Sequence, residues 1–182
     1  MPCFRRREEP PARRGDFREA VRNDFRHRCA YCLVPELLAG GPENFELDHF
    51  RPKSKFPQLE NNFFNLYYSC HVCNHAKGPA WPPAELDDAG VNFMDLCRDD
   101  CFEHYSEAPD GRWIGLTVRA NYTIELLRLN RKHLVNLRQR FSTKSAELCK
   151  RLPLEGQGLH LSLPEGLETN RAGSSAPVPS LV

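Results

Sequence analysis

The chain has 182 residues, 25 Lys and Arg, 24 Asp and Glu, and a formal net charge of +1 at pH 7. Its length allows one ordinary domain, or a small domain with appendages. No apolar run approaches the roughly 18 residues that a membrane helix needs, and the N-terminus lacks the apolar stretch of a secretory signal. We therefore expect a cytoplasmic protein with reduced thiols and no membrane partner.

The small net charge conceals segments of opposite sign. Residues 1–55 hold 12 Lys and Arg against 9 Asp and Glu, residues 84–110 hold 1 against 9, and residues 112–151 hold 10 against 2. Phosphate affinity depends on local charge, so a basic surface for nucleic acid remains available. The alternative is a set of solvated helix faces whose opposite charges pair with each other.

The residues before the first C-x-x-C pair divide into a segment without apolar periodicity and a predicted helix. Residues 1–15 are rich in Pro and Arg and have no apolar periodicity, which predicts a disordered basic arm. A helix is expected from Asp16 to the first cysteine of the central region, because apolar side chains recur there at helical spacing: Phe17, Ala20, Val21 and Phe25.

The central region, residues 16–83, predicts a small core of two strands and a helix. Apolar and charged residues alternate over residues 43–50, which is typical of a strand with one buried face. A short helical turn and a second strand are expected over residues 61–68, and a helix opens at Cys73 and ends at Gly78. The predicted fold class is α+β.

Residues 84–151 are expected to flank this core. The acidic part predicts a surface excursion with a brief helix around Asp95, and the Gly turn before residues 113–118 predicts a short hairpin. Two C-terminal helices follow, over residues 121–129 and 132–148. Residues 152–182 contain Gly, Pro and Ser without periodicity, which predicts a disordered tail.

Two C-x-x-C pairs, Cys29 with Cys32 and Cys70 with Cys73, have the spacing of a four-thiolate zinc site. Four thiolates leave no open position for substrate, so this Zn²⁺ is expected to be structural. It would close a loop-rich core.

The other four cysteines are Cys3, Cys97, Cys101 and Cys149. Cys97 and Cys101, followed by His104, could form a second metal site, and the alternative is two free thiols on a helical turn.

A second group of polar residues, with side chains suited to catalysis and metal binding, lies in and next to the loop between the two cysteine pairs. His49 suits a general base, because an imidazole with a pKa near about 6.5 can accept a proton at cellular pH. Asp48 and Asn74 offer hard oxygen ligands for a divalent cation such as Mg²⁺. Asn65 is expected to orient the imidazole through its amide oxygen. This set predicts phosphodiester hydrolysis.

Three cations near these residues are candidates to bind phosphate oxygens. Arg51 and Lys53 follow the strand, and Lys77 follows the last cysteine on the same short helix. A guanidinium binds phosphate as a fork and an ammonium as a point charge.

The segments DHFRPKS, Asn65-Leu66 and CHVCNHAKG resemble the HNH endonuclease motif, in the variant whose ββα-metal finger is supported by a four-cysteine zinc. The resemblance implies that Asp48 and Asn74 are metal ligands, that His49 is the general base and that Asn65 positions it. The third letter of the motif is Asn74 here instead of His.

A broader likeness over residues 16–145 is similar to small bacterial HNH proteins, including the nuclease partners of Septu-type antiphage ATPase systems. It implies a nucleic-acid substrate, DNA before RNA, an ATPase partner protein and a role in antiviral defence. The alternatives are a zinc-stabilised nucleic-acid-binding module without catalysis and an RNA-directed nuclease.

Overall fold

The computed structural model describes residues 3–151, with the side chains of residues 3–141. The first helix, α1, spans Phe17–Asp24 and buries Ala20 and Val21, as its apolar spacing predicts. Arg26 and His27 follow with positive φ angles of 50° and 58°, which end the helix and turn the chain toward Cys29 and Cys32.

The centre of the molecule is a hairpin followed at once by a helix. Strand β1 (Phe45–His49) pairs antiparallel with β2 (Leu66–Cys70), with Phe45 opposite Cys70 and His49 opposite Leu66. Helix α2 (His71–Lys77) starts directly after β2 and ends at Gly78, whose φ of 48° and ψ of −139° together lie in a region that residues with a Cβ atom rarely adopt. The predicted ββα core is confirmed.

The remaining elements are short, apart from the last helix. In chain order they are α3 (Ala84–Asp88), α4 (Cys101–His104), β3 (Tyr105–Glu107), β4 (Trp113–Gly115), α5 (Val118–Leu126) and α6 (Lys132–Arg151). Strands β3 and β4 form a separate antiparallel hairpin, with Glu107 opposite Trp113. The predicted α+β class, the hairpin and the two C-terminal helices are confirmed.

The segment before α4 is not the surface excursion that its acidity predicted. Phe93, Met94 and Leu96 are buried in the same core as the central hairpin. The expected helix around Asp95 is a turn, because the Asp95 carboxylate accepts hydrogen bonds from the Cys97 N–H at 3.0 Å and the Tyr67 hydroxyl at 2.7 Å.

The predicted disordered arm is also corrected where residues 3–15 are described. Phe4 is buried, and its N–H donates to the Leu96 carbonyl at 3.1 Å. Arg6 pairs with Asp24 of α1 at 3.0 Å. This segment packs as irregular backbone through single anchoring side chains, so periodicity could not reveal it.

Cys3 and Cys101 form a disulfide, with Cα atoms 6.5 Å apart. This finding overturns the expectation of reduced thiols at these two positions. It also removes Cys101 from the second metal site considered with Cys97, and His104 bonds instead to the Thr117 hydroxyl at 2.9 Å. The predicted tail, residues 152–182, lies outside the described residues.

Among the described helices, none is both long and apolar enough to cross a bilayer.

Candidate active site and metal centre

Four cysteine sulfurs gather at the base of the central hairpin. The Sγ atoms of Cys29, Cys32, Cys70 and Cys73 all lie within 4.8 Å of one another, and all four residues are buried. The Cys32 and Cys70 sulfurs are 3.9 Å apart. A tetrahedral zinc with Zn–S bonds of about 2.3 Å places its sulfurs about 3.8 Å apart. The cluster therefore suits Zn²⁺ with no position left for substrate.

One cation from the C-terminal half contacts this cluster. The Arg131 guanidinium donates to Cys73 Sγ at 3.4 Å. Four thiolates around Zn²⁺ carry a net charge of −2, so a neighbouring guanidinium offsets part of that charge. Arg131 immediately precedes α6, and this bond ties the helix to the zinc cluster.

Asp48 lies on the face of β1 that α2 covers. Its carboxylate accepts hydrogen bonds from Lys77 Nζ at 3.1 Å and from the Tyr31 hydroxyl, and both side chains are buried. Burial raises the pKa of Asp48, and the charge of Lys77 opposes that rise. Burial raises the pKa of Tyr31 as well, so the phenol stays a donor. The hydrogen bonds from Lys77 and Tyr31 thus hold the Asp48 carboxyl group in place.

Asn74 lies on the same seam between β1 and α2, one helical turn before Lys77. Its Nδ2 donates to the Glu46 carboxylate, which also lies 3.3 Å from His71 Nδ1. Glu46 and Asp48 are two residues apart on β1 and therefore share a face. Because Nδ2 is committed to Glu46, the Asn74 carbonyl oxygen is the atom left for a cation.

His49 is the last residue of β1, and strand alternation directs its side chain away from that of Asp48, so the strand itself does not bring the imidazole to the Asp48 carboxylate. Its Nε2 lies 2.9 Å from the Glu60 backbone carbonyl. A carbonyl oxygen only accepts, so Nε2 carries the proton and Nδ1 is the free basic nitrogen. Nδ1 has no hydrogen-bond partner among the residues that the structure describes.

Asn65 does not orient the imidazole in the way that the sequence suggested. Its amide oxygen accepts from the Arg51 N–H at 2.9 Å, and its Nδ2 donates to the carbonyls of Arg51 at 3.0 Å and Leu59 at 3.3 Å. These bonds fix both ends of the loop that follows His49. Glu60, whose carbonyl contacts the imidazole, lies at the end of that loop.

The three phosphate candidates have different surroundings. Lys77 is fully buried and also donates to the His49 carbonyl at 2.7 Å, so it cannot reach a phosphate. Lys53 is exposed and pairs with Glu60 at 3.0 Å. The Arg51 guanidinium lies over the rings of Phe56 and Trp81, about 5 Å from each centroid, and keeps 42% of its side chain exposed.

Two residues outside the predicted set contribute to this site. Glu46 is two residues before Asp48 on the same strand, a spacing that predicts that both carboxylates face α2. Tyr31 lies between the first two cysteines of the cluster. No sequence pattern predicts its bond to Asp48, which depends on how the zinc closes the loop.

Two comparisons with known proteins cover this region of the chain. Residues 29–80 match the family model described as HNH endonuclease. The chain is also similar to the Septu protein PtuB of Bacillus thuringiensis, with 24% identity over 146 residues that cover 75% of this chain and 50% of that protein. The chain thus spans about half the length of the curated relative that it matches.

Proposed function

We propose, from the premise that residues 29–80 form an HNH endonuclease domain, that this chain is a metal-dependent nuclease that hydrolyses phosphodiester bonds, with DNA as its substrate. The observation that supports this proposal most directly is the His49 imidazole. Its Nε2–H is bound to the Glu60 carbonyl, its Nδ1 has no partner in the part of the chain that the structure describes, and its neighbour in the chain is the buried carboxylate of Asp48.

His49 is the general base in this proposal. Nδ1 accepts a proton from the attacking water, and the imidazolium that forms is stabilised by the Glu60 carbonyl at 2.9 Å. Asn65 is a positioning residue, because its amide fixes the loop between His49 and Glu60. Proton transfer by a positioned side chain contributes roughly 10²-fold to 10⁴-fold to a rate.

The donor atoms at the seam between β1 and α2 suit a hard cation. The Asp48 carboxylate and the Asn74 amide oxygen would hold a divalent ion such as Mg²⁺, and Glu46 adds a carboxylate beside them. When bound, such an ion supplies Lewis-acid stabilisation of the phosphoryl oxygens. Zn²⁺ at the four cysteines has the separate role of holding β2, α2 and the Cys29–Cys32 turn together.

Arg51 and Lys53 are the residues that we assign to phosphate contacts. Both are partly or largely exposed on the loop that Asn65 fixes. Stacking on Phe56 and Trp81 holds the Arg51 guanidinium in place, which lowers the entropy lost when it binds a phosphate.

The likeness to the Septu protein PtuB supports a place in antiphage defence, and we include that role, with an ATPase partner protein, in the proposal. Co-expression with a Septu-type ATPase followed by co-purification would test this part separately from the nuclease activity.

Plasmid nicking tests the nuclease activity itself. Zinc-loaded parent protein is incubated with supercoiled DNA and Mg²⁺, Mn²⁺ or Ni²⁺, next to His49→Ala and to His133→Ala, a matched control at an exposed position of α6. We expect His49→Ala to lose at least about 100-fold in rate and His133→Ala to cleave like the parent. Equal cleavage by His49→Ala would contradict the assigned base. RNA of matched length, digested in parallel, reports the substrate class.

A further inference from the structure

A basic groove lies beside the central hairpin, outside the HNH motif. One cavity of about 720 Å³ is lined by five arginines together with aromatic side chains. The arginines come from three segments that are distant in sequence: Arg5, Arg6 and Arg7, Arg26, and Arg98. The sequence suggested a disordered basic arm, whereas the fold gathers its arginines with two others around one cavity.

This cavity continues toward the HNH motif. A second cavity, of about 420 Å³, shares Phe64, Tyr67 and Arg98 with the first and is also lined by Arg51 and Asn65. The two cavities therefore form one groove, which runs from the N-terminal arginines to the loop that follows the general base.

The arginines of the groove divide into anchors and free charges. Arg6 and Arg7 each pair with Asp24 at 3.0 Å, and these pairs hold the N-terminal segment on α1. Arg5 and Arg26 are exposed, and neither has a carboxylate partner among the residues that the structure describes. Two unpaired cations on one groove are available for an external anion.

Arg98, which lines both cavities, is a third accessible cation of the groove. Arg98 lies 3.6 Å from Asp95 and keeps 86% of its side chain exposed. Asp95 is already bound by the Tyr67 hydroxyl. Asp99 pairs with Arg119 at 3.0 Å. The carboxylates that line the groove are thus engaged within the protein, and its open side is positive.

An exposed aromatic ring stands where the two cavities meet. Phe64 keeps 42% of its surface exposed although its neighbours Phe63 and Asn65 are buried. A ring beside a row of guanidinium groups is a typical arrangement for single-stranded nucleic acid, where bases stack on aromatics and cations follow the phosphates.

We propose that this groove binds the substrate strand of nucleic acid, with Arg5, Arg26 and Arg98 on successive phosphates and Phe64 against a base. The inference rests on the proposed nuclease function. A strand is favoured over a free nucleotide because two adjoining cavities, of about 720 Å³ and 420 Å³, make up the groove, and their linings include both the N-terminal arginines and Arg51 at the motif.

The test measures binding apart from cleavage. In a His49→Ala background, fluorescence anisotropy with a labelled single-stranded 20-mer compares three proteins: the background itself, the added pair Arg5→Ala/Arg26→Ala, and a matched pair, Arg112→Ala/Arg140→Ala, exposed and outside the groove. Zinc content and circular dichroism establish that all three are folded.

Loss of both groove cations is expected to weaken binding about 10-fold and to make the slope of log K against log salt shallower by about 1.4, since each phosphate contact on a single strand contributes about 0.7. The control pair is expected to keep the background slope. Equal slopes for the two pairs would overturn the groove, as would a nucleoside triphosphate that competes as well as the 20-mer at equal phosphate concentration.

Failure of the groove and failure of the nuclease give different results. If the protein with His49 intact cleaves DNA and the Arg5/Arg26 pair does not alter binding, the groove is wrong and the nuclease stands. If no cleavage occurs and the pair still weakens binding, the groove stands as a nucleic-acid site and the nuclease is wrong.

Discussion

Lys77 and Asp48 form a buried ion pair between α2 and β1, with Nζ and Oδ2 3.0 Å apart and side chains 0% and 7% exposed. The same ammonium donates to the His49 carbonyl at 2.7 Å. Burial lowers the pKa of Lys77, and the charge of Asp48 opposes that change. One side chain thus holds both the candidate metal ligand and the backbone of the candidate base.

Replacement of Lys77 by Met should destabilise the zinc-loaded protein by about 3–5 kcal/mol, because it leaves the Asp48 carboxylate buried without its cation. Urea unfolding with excess zinc measures the free energy of unfolding. The matched control is Lys53→Ala, which breaks the exposed pair with Glu60 and should cost less than about 1 kcal/mol. An equal loss of unfolding free energy in the two variants would contradict a larger contribution from the buried pair than from the exposed one.

The position of Lys77 illustrates which parts of the site the sequence can predict. Residue type and spacing predicted the four-cysteine cluster, the strand that carries Asp48 and the helix that carries Asn74, because each depends on local periodicity or ligand spacing. Whether Lys77 faces solvent or Asp48 depends on how α2 lies on β1. That packing is a tertiary relationship between residues 29 positions apart, which local patterns do not contain.

The N-terminal segment is a second case in which local sequence properties do not predict a tertiary contact. Its Pro and Arg content predicted disorder, since composition measures the average tendency to bury surface. Phe4, whose ring centroid lies 4.8 Å from that of Phe25, anchors the segment together with the Arg6–Asp24 pair and the Cys3–Cys101 disulfide. A single anchoring ring has no periodicity to detect.

Glu46 is expected to orient Asn74 for cation binding. Removal of the carboxylate in Glu46→Ala frees the amide to rotate, so we expect Mn²⁺ affinity at this seam to fall about 10-fold, in the range that partners of metal ligands typically contribute. Glu46→Gln keeps an acceptor oxygen for Asn74 Nδ2 and should restore most of the affinity. Electron paramagnetic resonance of Mn²⁺ titrated into zinc-loaded protein measures the dissociation constant.

Glu43→Ala is the matched control for that titration, because Glu43 is an exposed carboxylate just before the same strand. It should bind Mn²⁺ like the parent. A Gln variant as weak as the Ala variant would mean that the charge of Glu46 matters more than its hydrogen bond, which contradicts the orienting role.

Arg131 is expected to stabilise the zinc cluster. In Arg131→Ala the thiolate of Cys73 loses its cationic donor, and zinc transfer to a competing chelator should become favourable at about 10-fold lower chelator concentration. A colorimetric chelator titration reports the released metal. Lys132→Ala, one residue along the chain and exposed, should behave like the parent; similar loss in both variants would attribute the effect to α6 in general.

Acid sensitivity should depend on Glu36, whose buried carboxylate joins α1 to β2. It accepts from Arg22 Nε at 2.9 Å and from the Tyr68 hydroxyl at 2.7 Å, and His27 Nδ1 lies 3.1 Å away. The hydrogen bonds from Arg22 lower the pKa of Glu36 from 4.5 to about 2. The unfolded chain therefore binds this proton first as the pH falls.

The stabilisation from this carboxylate is complete above the unfolded pKa of 4.5 and is lost as the pH falls through the folded pKa of about 2. Its size is on the order of 2–3 kcal/mol. We expect the difference in free energy of unfolding between the parent and Glu36→Gln to be constant from pH 7 to pH 5 and to shrink below pH 4.5. Both proteins carry the same four thiolates, so the effect of acid on the zinc cluster cancels in the difference. Urea titrations in excess zinc at each pH measure it, and a difference that grows on acidification would contradict the depressed pKa.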